Sequence, residues 1–491
     1  MSRRILPLIF TIALLAAATT PALAARLVPT PRATELPVTA TNRPFLGAAT
    51  ARQAVDLRAA GYAEKEYLLS GLADIHDWGG IRSSNHPYVT RMLVRRPIDP
   101  KRFSGRVVVE LLSAAGGFDT APLWGLSSAH FLRSGDVWVG LTVKPSAAET
   151  LRRFDPLRYK LLNFTVAQAA DCKADPANTD QGLAWDIIAQ AGALLRSSSK
   201  ESPLVDVDVR RLVAAGYAQG GGFVAAYINV AHDALRLGNG QSIFDAYVDA
   251  AGAVGAAPVN ACAAPLAAGD PRRQVVPRDA PVVTVMTQTD AARTQWMRRT
   301  DSDAEDDVYR LYEIAGMGHA GPLPAGQPSA VDAKIAGLDA SVDVSCTDPA
   351  SSFPAGLAMN AIWQQLDDLL VKGVPLATMP RIEVGADGAV HLDALGNAIG
   401  GWRLPQIELP LAVYRGTNRA RPDAPGTQGI CALTPSMRRL DAAKLKSLYG
   451  NRTAYLKRFN AALATAVGER RLTEADAAAT KAQMAKVVPQ F

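Results

Sequence analysis

The chain has 491 residues, 48% of them hydrophobic and 20% charged, and a formal charge of +6. That balance supplies a large core and excludes a disordered chain. Its basic pairs, Arg95-Arg96 and Arg272-Arg273 among them, are scattered and read as solvated surface, which argues against a nucleic-acid partner.

In chain order, the first 24 residues, "MSRRILPLIFTIALLAAATTPALA", carry two arginines, an apolar run from Ile5 to Ala18, and Ala22-Leu23-Ala24 as a small-x-small cleavage site. This is the layout of a secretory signal peptide, and the apolar run is short for a bilayer. Cleavage before Ala25 removes Arg3 and Arg4 and no acid, which brings the formal charge to +4. No later run reaches membrane-spanning length, so the expected mature protein is soluble and exported, periplasmic or extracellular. The four cysteines, Cys172, Cys262, Cys346 and Cys431, match no zinc spacing. In an exported chain they read as disulfides with three possible pairings, against free buried thiols as the alternative.

Residues 37–104 read as antiparallel strands. "GRVVVELL" (105–112) is a short apolar run of the buried parallel kind. The helix "PLWGLSSAHFLRSG" ends at Gly135, and "VWVGLTV" (137–143) is the next strand. The polar stretch 144–179, with Cys172, reads as an insert looping over one face. "GLAWDIIAQAGALLRSS" places Trp185, Ile188, Ala191 and Leu195 at helical spacing. "RRLVAAG" then reads as a strand that turns into the helix "GFVAAYINVAHDAL". "FDAYVDAAG" (244–252), "PVVTVMTQTD" (281–290) and "VYRLYEIAG" (308–316) are strand-like, with a Pro- and Gly-rich insert, 253–280, that reads as a lid. "GLAMNAIWQQLDDLLVKG" (356–373) is helical, 374–430 is strand- and turn-rich, and 437–490 is a helical tail. The alternation predicts an α/β fold, a mostly parallel central sheet with helices on both faces. The expected layout is a signal peptide (1–24), a main domain (25–430) with its β-rich N-terminal part, and a helical extension (431–491) packed on the same domain.

One turn carries chemistry. Between the "RRLVAAG" strand and its helix lies Gly216-Tyr217-Ala218-Gln219-Gly220. A serine hydrolase puts serine in the middle of such a Gly-x-Ser-x-Gly elbow, and here the residue is Ala218. The glycines let strand and helix pack closely, and the helix N-terminus aims N–H groups at the point where an oxyanion would develop. A dinucleotide site is disfavoured, because the glycine spacing is wrong and the turn comes late in the chain. In a hydrolase of this kind the acid and then the histidine follow along the chain. Asp290 ends the second strand after the elbow, and His319 lies in the loop after the next. Asp290 could instead cap a helix, and Asp301, Asp303 and Asp306 compete for its role. Residues Ala114 to Gly116, in the loop "SAAGG", could supply a second oxyanion donor. His76, His86, His130, His232 and His391 occupy no such position and read as structural or surface.

Together, "RMLVRRPIDPKRFSGRVVVELL", "SAAGGFDTAPLW", "FDPLRYKLL", "GYAQGGG", "RLYEIAGMGHA", "GNAIGGWRLPQIELP" and "LKSLYGNRTAYLKRF" give the chain a resemblance to the "alpha/beta hydrolase domain" family of secreted, mostly bacterial proteins in the α/β-hydrolase superfamily. The resemblance covers nearly the whole mature chain and implies the α/β-hydrolase fold. It implies serine followed by glutamine at the elbow, so Gln219 matches and Ala218 departs. Members often carry an acid where this chain has Gln288, and His319 corresponds to the family's histidine. The implied activity is hydrolysis of a small ester-like substrate without metal or organic cofactor. Serine would attack, His319 would shuttle the proton, Asp290 would orient it, and the N–H groups of Gln219 and Ala115 would hold the oxyanion. Tyr217 and Trp124 are the expected substrate-lining residues, with walls drawn from 120–180 and 253–280. Ala218 cannot attack a carbonyl, and Ser113, in the oxyanion loop, would face its wrong side. Losing such a nucleophile costs on the order of 10⁶ in turnover. Two readings follow: an esterase scaffold lacking its serine, or a non-catalytic ligand-binding protein on the same fold.

Overall fold

The computed structural model describes residues 26–491 except 40–41, 168–171, 173–177, 253–257, 268, 322 and 339–344. The expected signal peptide lies outside the described residues, as do parts of both expected inserts. Ten strands form the main sheet: β1 (Arg32–Leu36), β2 (Tyr62–Asp77), β3 (Gly80–Pro97), β4 (Arg106–Leu111), β5 (Val137–Leu141), β6 (Arg211–Tyr217), β7 (Ala246–Ala250), β8 (Val282–Thr287), β9 (Ser302–Ala304) and β10 (Asp307–Ile314). Their spatial order is β1-β2-β3-β5-β4-β6-β7-β8-β10-β9. The six strands from β5 to β10 in that order run parallel, and β1, β2, β3 and β9 are antiparallel to their neighbours. Every residue of β4, β5, β7 and β8 is buried, which is why these strands read as unbroken apolar runs.

The α-helices of six or more residues among the described residues are α1 (Pro122–Ser134), α2 (Pro145–Phe154), α3 (Ala184–Arg196), α4 (Gln219–Val230), α5 (Gln288–Arg293), α6 (Ala330–Ile335) and α7 (Gly356–Lys372), with α8 (Ala442–Tyr449), α9 (Arg452–Gly468) and α10 (Glu474–Val487) in the tail. Phe131 of α1 meets Trp363 of α7 at 5.4 Å, and Trp185 of α3 meets Phe223 of α4 at 5.3 Å. Gly135 and Gly373 end α1 and α7 in the left-handed conformation that glycine adopts most easily. No helix among the described residues is long and apolar enough to cross a membrane.

Two details depart from the sequence reading. The stretch from 144 opens with α2, not a loop, and buries Ala147, Ala148 and Leu151 while showing Arg152 and Arg153 on the other side. The elbow helix stops at Val230, well before Leu235, which pairs with Arg26 in a short parallel bridge. The cysteines are paired Cys172–Cys262, joining the two inserts, and Cys346–Cys431. The tail gathers its own small core around Tyr455, Phe459 and Leu463. Asp476 of α10 ties it to the main body by accepting from Arg133 and Asn360.

Candidate active site

The bend between β6 and α4 holds Ala218 at φ +52°, ψ −114°. A side-chain-bearing residue there stores backbone strain of order 1 kcal/mol or more, and such strain persists only where the surroundings impose it. They do so through close packing. A Cβ on Gly216 would sit 2.2 Å from the Gly220 carbonyl, and one on Gly220 would sit 2.2 Å from the Leu111 oxygen of β4. The Ala218 N–H donates to the Ala250 carbonyl of β7 at 2.9 Å. Gln219 follows at the first position of α4, where a backbone N–H has no intrahelical acceptor.

The acid sits on α5. Thr287 caps that helix, and its hydroxyl accepts from the Asp290 N–H at 3.2 Å and donates to Asp290 Oδ2 at 2.7 Å. The Thr287 N–H also donates to Oδ2. That reciprocal cap fixes the carboxylate and leaves Oδ1 for His319, whose Nδ1 lies 2.9 Å away. The two roles weighed for Asp290, helix cap and histidine partner, are therefore carried by its two oxygens. The Asp290 side chain is fully buried and that of His319 is 14% exposed.

The histidine loop is held on every side. The His319 N–H donates to Thr289 Oγ1 at 3.3 Å, and its carbonyl accepts from Tyr217 Oη at 2.8 Å. The Ala320 N–H donates to the Leu433 carbonyl at 2.8 Å, and the Pro435 ring fills the space beside Gly318. Tyr217 directly precedes Ala218, so the elbow and the imidazole loop are in contact. Gln288, where family members often carry the acid, accepts from the Gly316 N–H instead. Of the competing aspartates, Asp303 and Asp306 lie at the other end of β10, about 20 Å away at 3.3 Å per residue. Asp301 lies beside the middle of that strand, where it accepts from the Leu311 N–H at 3.0 Å. Asp301 pairs with Arg381 and Asp303 with Arg310, while Asp306 is exposed.

On the oxyanion side, the Gln219 side chain accepts from the Ala114 N–H at 3.1 Å and so pins the loop after β4 to the elbow. Ala114 is thereby engaged, and its neighbour Ala115 is exposed. Ser113 is buried and pairs with Thr120 through the backbone. Trp124 corrects the expectation of a substrate-lining ring. Glu110 accepts from the Leu123 and Trp124 N–H groups and from Trp138 Nε1, and so caps the start of α1 from below. Trp124 is consequently fully buried, packed on Trp138 and under the Arg95 guanidinium at 4.3 Å. Tyr217 does line a cavity, of about 260 Å³. Its other walls come from Gly125 and Leu126, the histidine loop, 351–356 and Pro435, and none from the described residues of 253–280. The other histidines are held as expected: His76 by Asp186, His86 by Ser83, His130 beside Arg106, His232 by Tyr247 and Asp279, and His391 near Glu383 at the surface.

Two groups escaped the sequence reading. Asp249 of β7 lies fully buried under the elbow, its Oδ1 without a hydrogen-bond partner among the described residues. Burial lifts its pKa to about 7 against the pull of the Gly252 amide, and the charge of Asp290 adds to the rise. Lys144, just before α2, holds its ammonium 4.8 Å from the Phe223 ring of α4, and burial lowers it to about 8. Neither has a sequence motif to announce it.

A family model described as alpha/beta hydrolase domain matches residues 28–482. Among solved structures, the chain is similar to a thermostable esterase from Pseudomonas putida ECU1011, at 15% identity over 58% of this chain and 82% of that one, with a TM-score of 0.32. It is also similar to a fungal esterase from Rhizomucor miehei, at 12% identity over 65% of this chain and 92% of that one, TM-score 0.31. A carboxylesterase from Lactobacillus plantarum WCFS1 shares 12% identity over 50% of this chain and 82% of that one, TM-score 0.27. No curated protein matches the chain.

Proposed function

The chain belongs to the alpha/beta hydrolase domain family, and on that premise we propose that it is the scaffold of a serine-type carboxylic-ester hydrolase whose turnover requires serine at position 218. The observation that carries this reading is the His319 Nδ1–Asp290 Oδ1 pair at 2.9 Å, on a loop bonded to the residue beside Ala218. An imidazole held through Nδ1 keeps Nε2 for a serine proton, and the carboxylate stabilises the imidazolium that forms. Serine Oγ would attack the ester carbonyl, and the Gln219 N–H with a donor near Ala115 would hold the oxyanion. The Ala218 methyl supplies no nucleophile, so the chain as it stands turns over esters ~10⁶-fold more slowly than its serine form. The substrate in this reading is a small ester-like molecule, and no metal or organic cofactor takes part. We also propose that the protein is exported, a reading supported by its two disulfides.

The test is Ala218→Ser. It should hydrolyse a simple aryl ester with a burst and be labelled by a serine-directed phosphonate; the absence of both would overturn the proposal. Ala218 itself favours a second reading, a ligand-binding protein on the same fold. That protein would bind its ligand saturably and equally well after His319→Ala.

A further inference from the structure

We propose that the cavity lined by Tyr217 is the pocket that selects the substrate, and that it takes one compact uncharged apolar group, an aryl ring on a two- or three-carbon tether. This rests on the ester-hydrolase reading for the placement of the scissile bond. Tyr217 directly precedes residue 218 and Gly318 directly precedes His319, and both line the cavity. The Tyr217 ring lies 6.1 Å from the His319 imidazole, so a group seated in the cavity is placed beside the histidine.

The walls decide the chemistry. Leu126, Leu323, Phe353 and Pro435 are apolar, and no charged side chain lines the cavity among the described residues. The two serines in the wall are already engaged, Ser351 Oγ by the Phe353 N–H and Ser352 Oγ by the Met437 sulfur. A carboxylate or ammonium placed here would lose its hydration without gaining a counter-charge, a penalty of several kcal/mol. The size decides the rest. A cavity of about 150 Å³ holds benzene, so 260 Å³ accommodates the ring and a short tether.

The glycines in the wall set what can be changed. A Cβ on Gly318 would strike the Pro435 ring at 2.6 Å, and one on Gly125 would press Leu323 at 3.0 Å, so neither wall can thicken. Gly321 differs, because a Cβ there meets nothing within 4 Å. A larger residue at 321 fills cavity space without displacing the histidine loop.

The experiment uses the chain as it stands, since Ala218 leaves esters intact. Calorimetric titration with ethyl 3-phenylpropanoate should give a Kd at least ~10-fold below those for ethyl acetate and for the singly charged ethyl hydrogen succinate. Gly321→Val should erase most of that advantage and leave ethyl acetate unchanged. Phe353→Ala, a second variant should Gly321→Val fail to fold, should move the preference towards ethyl 5-phenylpentanoate. Equal affinity for all three esters, or an advantage that survives in the folded variants, would overturn the pocket assignment. The reaction is judged separately: selective binding by the Ala218 chain combined with no burst from Ala218→Ser would sink the hydrolase reading and leave the pocket standing.

Discussion

The antiparallel wing of the sheet and the surroundings of the elbow bury charge in opposite ways. In the antiparallel wing, Glu66 accepts from Arg91, Arg158 and Tyr159, and Arg95 donates to Glu64 while lying between Trp124 and Trp138. Each buried carboxylate there faces a guanidinium, a cation that keeps its proton at any physiological pH. In the parallel wing, the carboxylates beside the elbow have no such partner. Asp290 faces a threonine and an imidazole, and Asp249 faces glycines. A carboxylate neutralised by arginine is a fixed part of the frame, whereas one left with neutral or titratable partners can take part in proton traffic.

The sharpest way to break that comparison is Asp290→Asn in the Ala218→Ser background. The asparagine keeps the cap on α5 and loses the charge that selects the imidazole tautomer. Turnover of an aryl ester should fall about 10⁴-fold, with the urea midpoint nearly unchanged. Glu66→Gln should do the reverse. It strands Arg91 and Arg158 inside the fold, so urea denaturation should show a loss of about 3–5 kcal/mol. Its kcat on the same ester, measured well below the melting point, should match the parent.

Asp249 sharpens the contrast through pH. A carboxyl with a higher pKa folded than unfolded binds its proton more tightly in the fold. Its contribution to stability is therefore greatest below the unfolded value of about 4, and is lost as pH rises towards about 7. Across that window the loss is of order 4 kcal/mol. Asp249→Asn cannot ionise, so its stability curve should be flatter between pH 4 and 7, and the variant should be the more stable form at pH 8. Parallel curves for the two proteins would show that Asp249 binds its proton equally well folded and unfolded.

Most of this frame is legible in the sequence, for physical reasons. The parallel strands announce themselves because both faces are covered, and the elbow does so because only glycine fits where β6 meets α4. Strand order points to His319 and narrows the acid to Asp290 and its neighbours Asp301, Asp303 and Asp306. What escapes is whatever depends on distant chain meeting by packing. Trp124 looks like a pocket residue until Glu110, from the neighbouring strand, draws its helix start onto the sheet. The cavity borrows Phe353 and Pro435, which no local pattern ties to residue 217. Asp249 is one acid in a short apolar strand, and only burial under the elbow makes it unusual. The pairing of Cys346 with Cys431 and of Cys172 with Cys262 likewise needed coordinates, since four cysteines allow three arrangements.

The smallest expected effect tests how the two halves of the site are joined. Tyr217 Oη donates to the His319 carbonyl at 2.8 Å, and burial raises the phenol well above its ordinary pKa, so it stays a donor throughout the working range. Tyr217→Phe keeps the ring against the cavity and deletes this single bond. A buried hydrogen bond of this kind contributes about 1 kcal/mol, and the urea midpoint should fall accordingly. In the Ala218→Ser background the loss should appear in kcat, because the bond restrains the loop carrying the imidazole. The KM for an arylalkyl ester should hold, because the apolar wall is unchanged. A rise in KM with kcat intact would assign the hydroxyl to substrate binding and leave the histidine loop to be held by Thr289 and Leu433.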